Sequence, residues 1–132
     1  MTATGTWEPN QDNITPDADR VRQWADQNWS EAADLERQLD DLDKACLQRW
    51  IALPAAQWQP VLAELTAGQL VNLMRLCTLA EEHLAGCEAG DQSTVIHAFR
   101  AHRQHHGTPE RSLIQWIKAN TRNRFLPYGP VL

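Results

Sequence analysis

Two histidines of this chain, His102 and His106, are four residues apart. On a helix this spacing places two imidazoles on one face, where both can coordinate the same transition-metal ion. His105 lies between them in the sequence, and Cys87, in a predicted loop, could supply a further ligand. The pattern therefore predicts, as one hypothesis, a site for zinc or another transition metal. The alternative is that these histidines end a helix, where a positively charged side chain interacts favourably with the helix dipole.

Two other patterns could in principle do chemistry. Cys87 follows His83 by four residues, but a nucleophilic cysteine needs a base and a lowered pKa, and no family signature surrounds this pair. Glu81 and Glu82 are adjacent, so on a helix they point in different directions and do not make an acid–base pair. A salt bridge between Glu81 and Arg49 would instead give Glu81 a structural role. The sequence thus favours a protein that is not an enzyme, with no catalytic residue.

Charge is distributed unevenly along the chain. The net charge is −5, yet residues 91–132 carry 2 acidic and 6 basic side chains, whereas residues 1–90 carry 15 acidic and 6 basic ones. This asymmetry indicates either attraction between the two ends within the fold or a basic surface for an anionic partner. Six positive charges over that length are not a dense patch, so nucleic acid is an unlikely partner. The candidate anion-binding residues are Arg100, Arg103, Arg122 and Arg124.

The composition is that of an ordinary globular domain, with 42% hydrophobic and 22% charged residues among 132. The sequence has no apolar run of about 18 residues, so we expect no membrane-spanning helix. The first residues lack the basic and apolar regions of a signal peptide. Three cysteines without CxxC spacing fit a reducing compartment. Together these features predict a cytoplasmic protein.

The positioning elements are predicted to be helices around a central one, from Thr66 to Gly86. Thr66 is a plausible N-cap, Gln69 completes a capping box, and Gly86 is a plausible stop. Apolar residues cover most of the helix circumference, which indicates burial on several sides. The fold is therefore predicted to be all-α, a compact bundle of five to six helices over residues 15–132. Residues 1–14 are predicted to be a disordered or loosely docked tail.

The helix expected to pack against the central one starts after Ser30 and carries an apolar seam to Leu53. In this pairing, Leu42 and Leu73 are predicted to be core residues that face each other in an antiparallel hairpin. Later helices are predicted from Asp91 or Ser93 to Gly107 and after Pro109. An extended C-terminal segment follows, because Pro127 and Pro130 disfavour helix.

Some apolar residues lie outside these predicted helical stripes and predict an interface. Three are on the central helix and three are in the C-terminal segment, and a surplus of this kind indicates a partner, most simply a second copy of the chain. The candidate interface residues are Val71, Leu76, Leu79, Phe125, Leu126 and Tyr128.

The stretch WIKANTRNRFLPYG, with TLAEEHLAGCEAGDQSTVI before it, resembles a family of small uncharacterised all-helical bacterial proteins. The resemblance covers about the last half of the chain and implies no activity, ligand or site residue. It implies only that the C-terminal segment belongs to the domain. The leading functional prediction is a non-enzymatic interaction or regulatory module that forms a homodimer, with no cofactor. Metal or small-ligand binding by the histidine cluster, and weak binding of an anionic partner, are the alternatives.

Overall fold

Seven α-helices make up most of residues 14–123 and 125, the part of the chain that the computed structural model describes. Within that part no strand occurs, so the predicted all-α class is confirmed, with a helix count above the expected five to six. A short 3-10 turn, Gly90–Gln92, precedes the sixth helix. The helices are α1 Ala18–Ala25, α2 Ala32–Gln38, α3 Asp41–Trp50, α4 Ala55–Leu62, α5 Ala67–His83, α6 Thr94–His106 and α7 Arg111–Asn120.

Helix α5 is the central element, as its sequence predicts. The Gln69 backbone N–H donates to Thr66 Oγ1 over 3.1 Å, and the Thr66 N–H donates to Gln69 Oε1 over 2.9 Å, which completes the expected capping box. After the helix, Gly86 adopts φ +82, where a side chain would be strained. Helix α6 packs most extensively on α5, followed by α1 and then by α2 and α7.

The long helix predicted after Ser30 is wrong, because it is divided into α2 and α3. Leu39 is extended, and Asp40 caps α3 through a bond from the Asp43 N–H to its carboxylate, 2.8 Å long. The break resets the helical phase, so the seam does not continue: Leu42 is 58% exposed, and Leu47 and Trp50 are buried instead. The prediction that Leu42 lies in the core is therefore wrong.

The predicted pairing of this helix with the central one holds for α2, which packs on α5, but not for α3, which is not among the main neighbours of α5. Helix α3 is held to α1 by Asp43, whose Oδ1 accepts from Trp24 Nε1 over 3.1 Å and from Arg20 Nη1 over 2.5 Å. Trp29, which lies outside any apolar stripe, is fully buried and donates from Nε1 to the Trp24 carbonyl over 2.9 Å. Tryptophan N–H groups thus join the N-terminal helices within the core.

Two predicted interface residues, Leu76 and Leu79, are buried in the core of this same chain. Their assignment to a dimer surface is therefore wrong, because α5 is covered by other helices on several sides. Val71 and Phe125 are half-buried and pack against the same core. Leu126, Tyr128 and Arg124 lie outside the described residues, as do residues 1–13 of the predicted tail. None of the described helices is long and apolar enough to cross a membrane.

Candidate functional site

Helix α6 carries all three candidate histidine ligands and two of the candidate anion-binding arginines, Arg100 and Arg103. Ser93 caps its start, as predicted, by accepting the Val95 backbone N–H over 3.1 Å. Gly107 ends it at φ +91, again as predicted. Along the helix the α4 side presents His97, Arg100 and His105, while the C-terminal turn carries His106. The N-terminal end of α6 therefore lies near the end of α5, where Ser93 contacts Glu81, and the C-terminal end carries His102, His105 and His106.

The predicted metal ligands are only partly brought together. His102 and His106 have ring centroids 5.7 Å apart, and His105 and His106 are 6.4 Å apart. His102 Nδ1 contacts the Gly107 carbonyl oxygen over 2.6 Å, so this nitrogen carries the proton and helps to end the helix. This bond joins His102 to the residue that follows α6, whereas the predicted interaction of a charged histidine with the helix dipole stays a prediction.

Cys87 does not join these histidines. Its thiol is buried, and it lies close enough to Glu81 and Glu88 to be affected by their charges. Glu81 in turn contacts Ser93, at the opposite end of α6 from the histidines. His102 lies nine residues beyond Ser93, about 13 Å along a helix. Among the described residues, no group of three or more histidine, cysteine or acidic side chains is placed to hold a metal ion.

A groove lies between α4 and α6. Its volume is about 430 Å³. Alanine and leucine side chains of α4 form its apolar wall, and Arg100, His105 and the amide side chains of Gln59 and Gln104 provide its polar groups. None of the described residues that line it is acidic. We call it the α4–α6 groove, and the Arg100 guanidinium is the strongly basic group in its lining.

His97 lines this groove, but its ring is hydrogen-bonded to the backbone before α4. Its Nε2 lies 3.0 Å from the Leu53 carbonyl oxygen, and a carbonyl can only accept, so Nε2 carries the proton. Burial lowers the pKa of His97 below its usual value, and the charge of Arg100 acts in the same direction. Nδ1 is buried without a hydrogen-bond partner among the described residues. His97 is therefore a neutral structural side chain that joins α6 to the turn before α4.

A second polar cluster surrounds Glu81, and its members differ from the partner predicted from the sequence. Glu81 is buried, its Oε2 accepts from the Ser93 hydroxyl, and its Oε1 accepts from Asn123 Nδ2 over 3.0 Å. Burial raises the pKa of Glu81 to about 7, although these hydrogen bonds and one from the Ala89 backbone oppose the shift. The predicted salt bridge to Arg49 is wrong, because Arg49 is exposed and Glu81 is bonded elsewhere.

Glu82, the next residue, binds Arg122. Its Oε2 accepts the Arg122 backbone N–H over 2.8 Å, and its Oε1 accepts Arg122 Nε over 3.0 Å. Burial would raise the pKa of Glu82, but the two bonds and the charge of Arg122 outweigh it, so this pKa is lowered. Glu81, Glu82 and Glu88 line a cleft of about 410 Å³ with Arg122 and Asn123, which we call the Glu81 cleft. Only the tertiary structure could find it, because residues 81 and 123 are distant in sequence.

The predicted basic residues do not form one surface. Arg100 lines the α4–α6 groove, whereas the Arg103 guanidinium lies 5.9 Å from the centre of the Phe99 ring. Arg122 is bound to Glu82 at the Glu81 cleft. Arg100 and Arg122 therefore belong to two different concave sites, the α4–α6 groove and the Glu81 cleft, and Arg103 lines neither of them.

The two buried cysteines, Cys77 and Cys87, are poorly suited to nucleophilic chemistry. Burial raises the pKa of the Cys77 thiol well above its usual value and that of Cys87 to about 11. Both thiols are therefore protonated near neutral pH, and the thiolate is the reactive form.

No protein-family model, curated protein or solved structure matches this chain. The resemblance of the C-terminal half to small bacterial proteins accordingly stays a prediction, and the functional argument depends on the geometry of the chain itself.

Proposed function

We propose that the protein is a non-enzymatic binding module whose α4–α6 groove takes a small organic anion, such as a carboxylic acid. The observation that carries this proposal is the lining of the groove, which brings the Arg100 guanidinium and the Gln59 and Gln104 amides to one concave surface with no acidic side chain among the described lining residues. The groove volume of about 430 Å³ is in the usual range for small-molecule sites. A carboxylate would accept hydrogen bonds from the guanidinium and an amide, and its apolar tail would contact Leu62 and Ala63.

A binding role is supported further by the state of the reactive side chains. The Cys77 and Cys87 thiols are buried and have raised pKa values, and the Ser93 hydroxyl is buried and donates to Glu81. None of these three side chains lines the α4–α6 groove, and Ser93 caps α6 with its hydroxyl bonded to Glu81 near the end of α5.

The test measures the binding of carboxylates of increasing length, from acetate to hexanoate, by shifts of the α6 amide resonances. Arg100→Gln should weaken binding about tenfold or more, because a hydrogen bond to a charged group contributes roughly 1.5–3 kcal/mol. Arg103→Gln is the matched control, since it removes the same charge from the same helix outside the groove.

Two outcomes of this titration would contradict the proposal. One is equal binding by the wild-type protein and Arg100→Gln. The other is equal weakening by Arg100→Gln and Arg103→Gln, which would indicate a general charge effect. Ala63→Phe supplies a second check, because an aromatic ring at the exposed edge of the groove should block the longer acids while leaving the core intact.

Transition-metal binding by His102, His105 and His106 is a second candidate. The observation that favours it is the close approach of the rings, 5.7 and 6.4 Å between centroids, at the exposed end of α6. The expected result is one zinc ion per chain after purification without a tag, lost in His106→Ala and kept in His83→Ala. Wild-type protein that neither contains zinc nor is stabilised by added zinc would exclude this candidate.

A further inference from the structure

Helices α4 and α6 start side by side. The Ile51 carbonyl, between α3 and α4, accepts the backbone N–H of Thr94 over 3.2 Å and the Thr94 hydroxyl over 2.8 Å at the start of α6. From this shared start, the lining of the α4–α6 groove continues over residues 55–63 of α4 and 97–105 of α6. The groove therefore lies between two helices that run in the same direction.

Two glutamine amides line this groove from opposite walls. Gln59 belongs to α4 and Gln104 to α6, and neither side-chain amide is hydrogen-bonded to another of the described residues. Both side chains are exposed, so water satisfies them while the groove is open. A ligand that covers them with hydrocarbon removes this water without replacing its hydrogen bonds, which weakens binding. A ligand with its own donor and acceptor between the two walls avoids that loss.

The spacing along α6 places a positive charge one helical turn from one of these amides. Arg100 and Gln104 are four residues apart, which is about 6 Å along a helix axis. Successive residues of an extended peptide are about 3.3–3.6 Å apart, so the amide next to a terminal carboxylate lies within the length of that turn. A carboxylate at the Arg100 guanidinium therefore brings the adjoining amide between the two glutamines.

We propose that the ligand of the α4–α6 groove is the C-terminal end of a peptide, an inference that rests on the proposed anion site. The terminal carboxylate accepts hydrogen bonds from the Arg100 guanidinium, whose fork matches its two oxygens. The adjoining amide donates its N–H to the Oε1 of one glutamine and accepts from the Nε2 of the other, on the opposite wall. An apolar last side chain of the peptide packs against Leu62.

The two ends of the groove differ, and this sets the direction of the peptide. At the start of the helices, His97 is buried and bonded to the Leu53 carbonyl, whereas Ala63 and Gln104 near the other end are exposed. The peptide therefore runs from Arg100 towards the exposed end, where further residues extend into solvent. A free N-acylated amino acid has the same carboxylate and amide, so a longer peptide is needed to distinguish the two sources.

The experiment titrates the full chain with three ligands and follows the α6 amide resonances. N-acetyl-leucine carries both the carboxylate and the amide, N-acetyl-leucinamide lacks the carboxylate, and 2-isobutylpentanoate has two methylene groups in place of the amide. N-acetyl-leucine should bind about tenfold more tightly than 2-isobutylpentanoate, since two hydrogen bonds contribute about threefold each. N-acetyl-leucinamide should bind about tenfold or more weakly than N-acetyl-leucine, because it lacks the charged acceptor.

Single substitutions identify the side chains that recognise the amide. Gln59→Met and Gln104→Met keep the side-chain length but lose the amide, so each should reduce the preference for N-acetyl-leucine over 2-isobutylpentanoate from about tenfold to about threefold. Gln115→Met is the matched control, because Gln115 is an exposed glutamine of α7 outside the groove. It should leave the preference unchanged, and an equal loss in all three variants would overturn the proposal.

A longer ligand, N-acetyl-alanyl-alanyl-leucine, tests the peptide itself. It should bind at least as tightly as N-acetyl-leucine, and weaker binding would overturn the peptide in favour of a free N-acylated amino acid. Equal binding of N-acetyl-leucine and 2-isobutylpentanoate, with both weakened by Arg100→Gln, would overturn the peptide and leave the anion site in place. Binding of neither acid would contradict the proposed function as well, so the two failures can be told apart.

Discussion

At the scale of single residues, Glu81 and His97 are buried side chains whose contributions to stability depend on pH in opposite directions. Burial raises the pKa of Glu81 and lowers that of His97, so each favours its neutral form in the folded chain. Glu81 stabilises the fold most at low pH, and this contribution is lost as the pH rises through about 7. His97 contributes most above its unfolded value of 6.5, and its contribution declines as the pH falls below that value.

The first prediction concerns the pH dependence of stability in Glu81→Gln. The free energy of unfolding of the wild-type protein minus that of Glu81→Gln should increase by about 2–3 kcal/mol as the pH falls from 8.5 to 5. The reason is that only the wild-type protein gains stability by taking up a proton at this position. Urea unfolding at each pH measures it, and the difference between the two proteins cancels the opposite effect of His97. A constant difference would mean that Glu81 titrates normally in the folded chain.

The second prediction compares two leucines that the sequence treats alike. Leu73 is fully buried, whereas Leu42 is 58% exposed. Leu73→Ala should therefore lower the free energy of unfolding by about 2–5 kcal/mol, because it leaves a cavity in the core. Leu42→Ala should change it by less than about 0.5 kcal/mol. Thermal or urea unfolding compares the two, and equal losses would disagree with the placement of α3.

At the scale of elements, capping decides where α2 ends and α3 begins. Asp40 and Asp43 form a reciprocal capping box with bonds of 2.8 and 3.1 Å, and this bonding competes with continuation of the helix across Leu39. Asp43 also accepts from Trp24 and Arg20, so the same acid fixes the start of α3 and joins it to α1. The helix boundary is thus part of the packing of the N-terminal half.

The third prediction tests that boundary through the cap. Asp40→Ala should lower the free energy of unfolding by about 1 kcal/mol, since the Asp43 N–H loses its acceptor. Asp41→Ala is the matched control, because it removes a neighbouring exposed acid from the same first turn and should cost only about 0.3 kcal/mol through the helix dipole. Urea unfolding of both variants gives the comparison, and a larger loss in Asp41→Ala would show that charge rather than capping matters here.

At the scale of the whole molecule, the C-terminal segment brings the basic part of the chain, residues 91–132, into contact with the acidic part, residues 1–90. Arg122, from the basic end of the chain, binds Glu82 on the central helix, and Asn123 binds Glu81. This contact is the attraction within the fold that the sequence offered as one reading of its charge distribution. Two of the contact residues proposed for the homodimer, Leu76 and Leu79, are buried in the core of a single chain. The homodimer itself stays a prediction.

The fourth prediction is that truncation after Thr121 destabilises the protein. It removes the bonds to Glu81 and Glu82, so the melting temperature should fall by roughly 5 °C or more at pH 6, equivalent to about 1 kcal/mol or more. Differential scanning calorimetry at pH 6 measures it, and light scattering on the same samples tests the homodimer. An unchanged melting temperature would contradict docking of this segment.

The sequence by itself determined the elements whose cause is local. The capping box of Thr66 and Gln69, the Ser93 cap and the Gly107 stop all depend on residues within a few positions. The sequence predicts the first and the last, and it gives Ser93 as one of two candidate caps. The all-α class follows from the same local periodicity. What remained open was every assignment that needed a partner far away in the chain.

Tertiary structure alone decided which apolar faces are covered and which polar groups meet. Leu42 and Leu76 have the same side chain and both lie on helices, yet Leu42 is exposed and Leu76 is buried, because burial depends on which helix lies opposite. Glu81 was paired with the wrong residue for the same reason, since its real partners come from the loop before α6 and from the segment after α7. The raised pKa of Glu81 arises only when the loop before α6 and the segment after α7 pack against α5. The α4–α6 groove likewise arises only when two helices distant in sequence pack together, so no periodicity in the sequence predicts either feature.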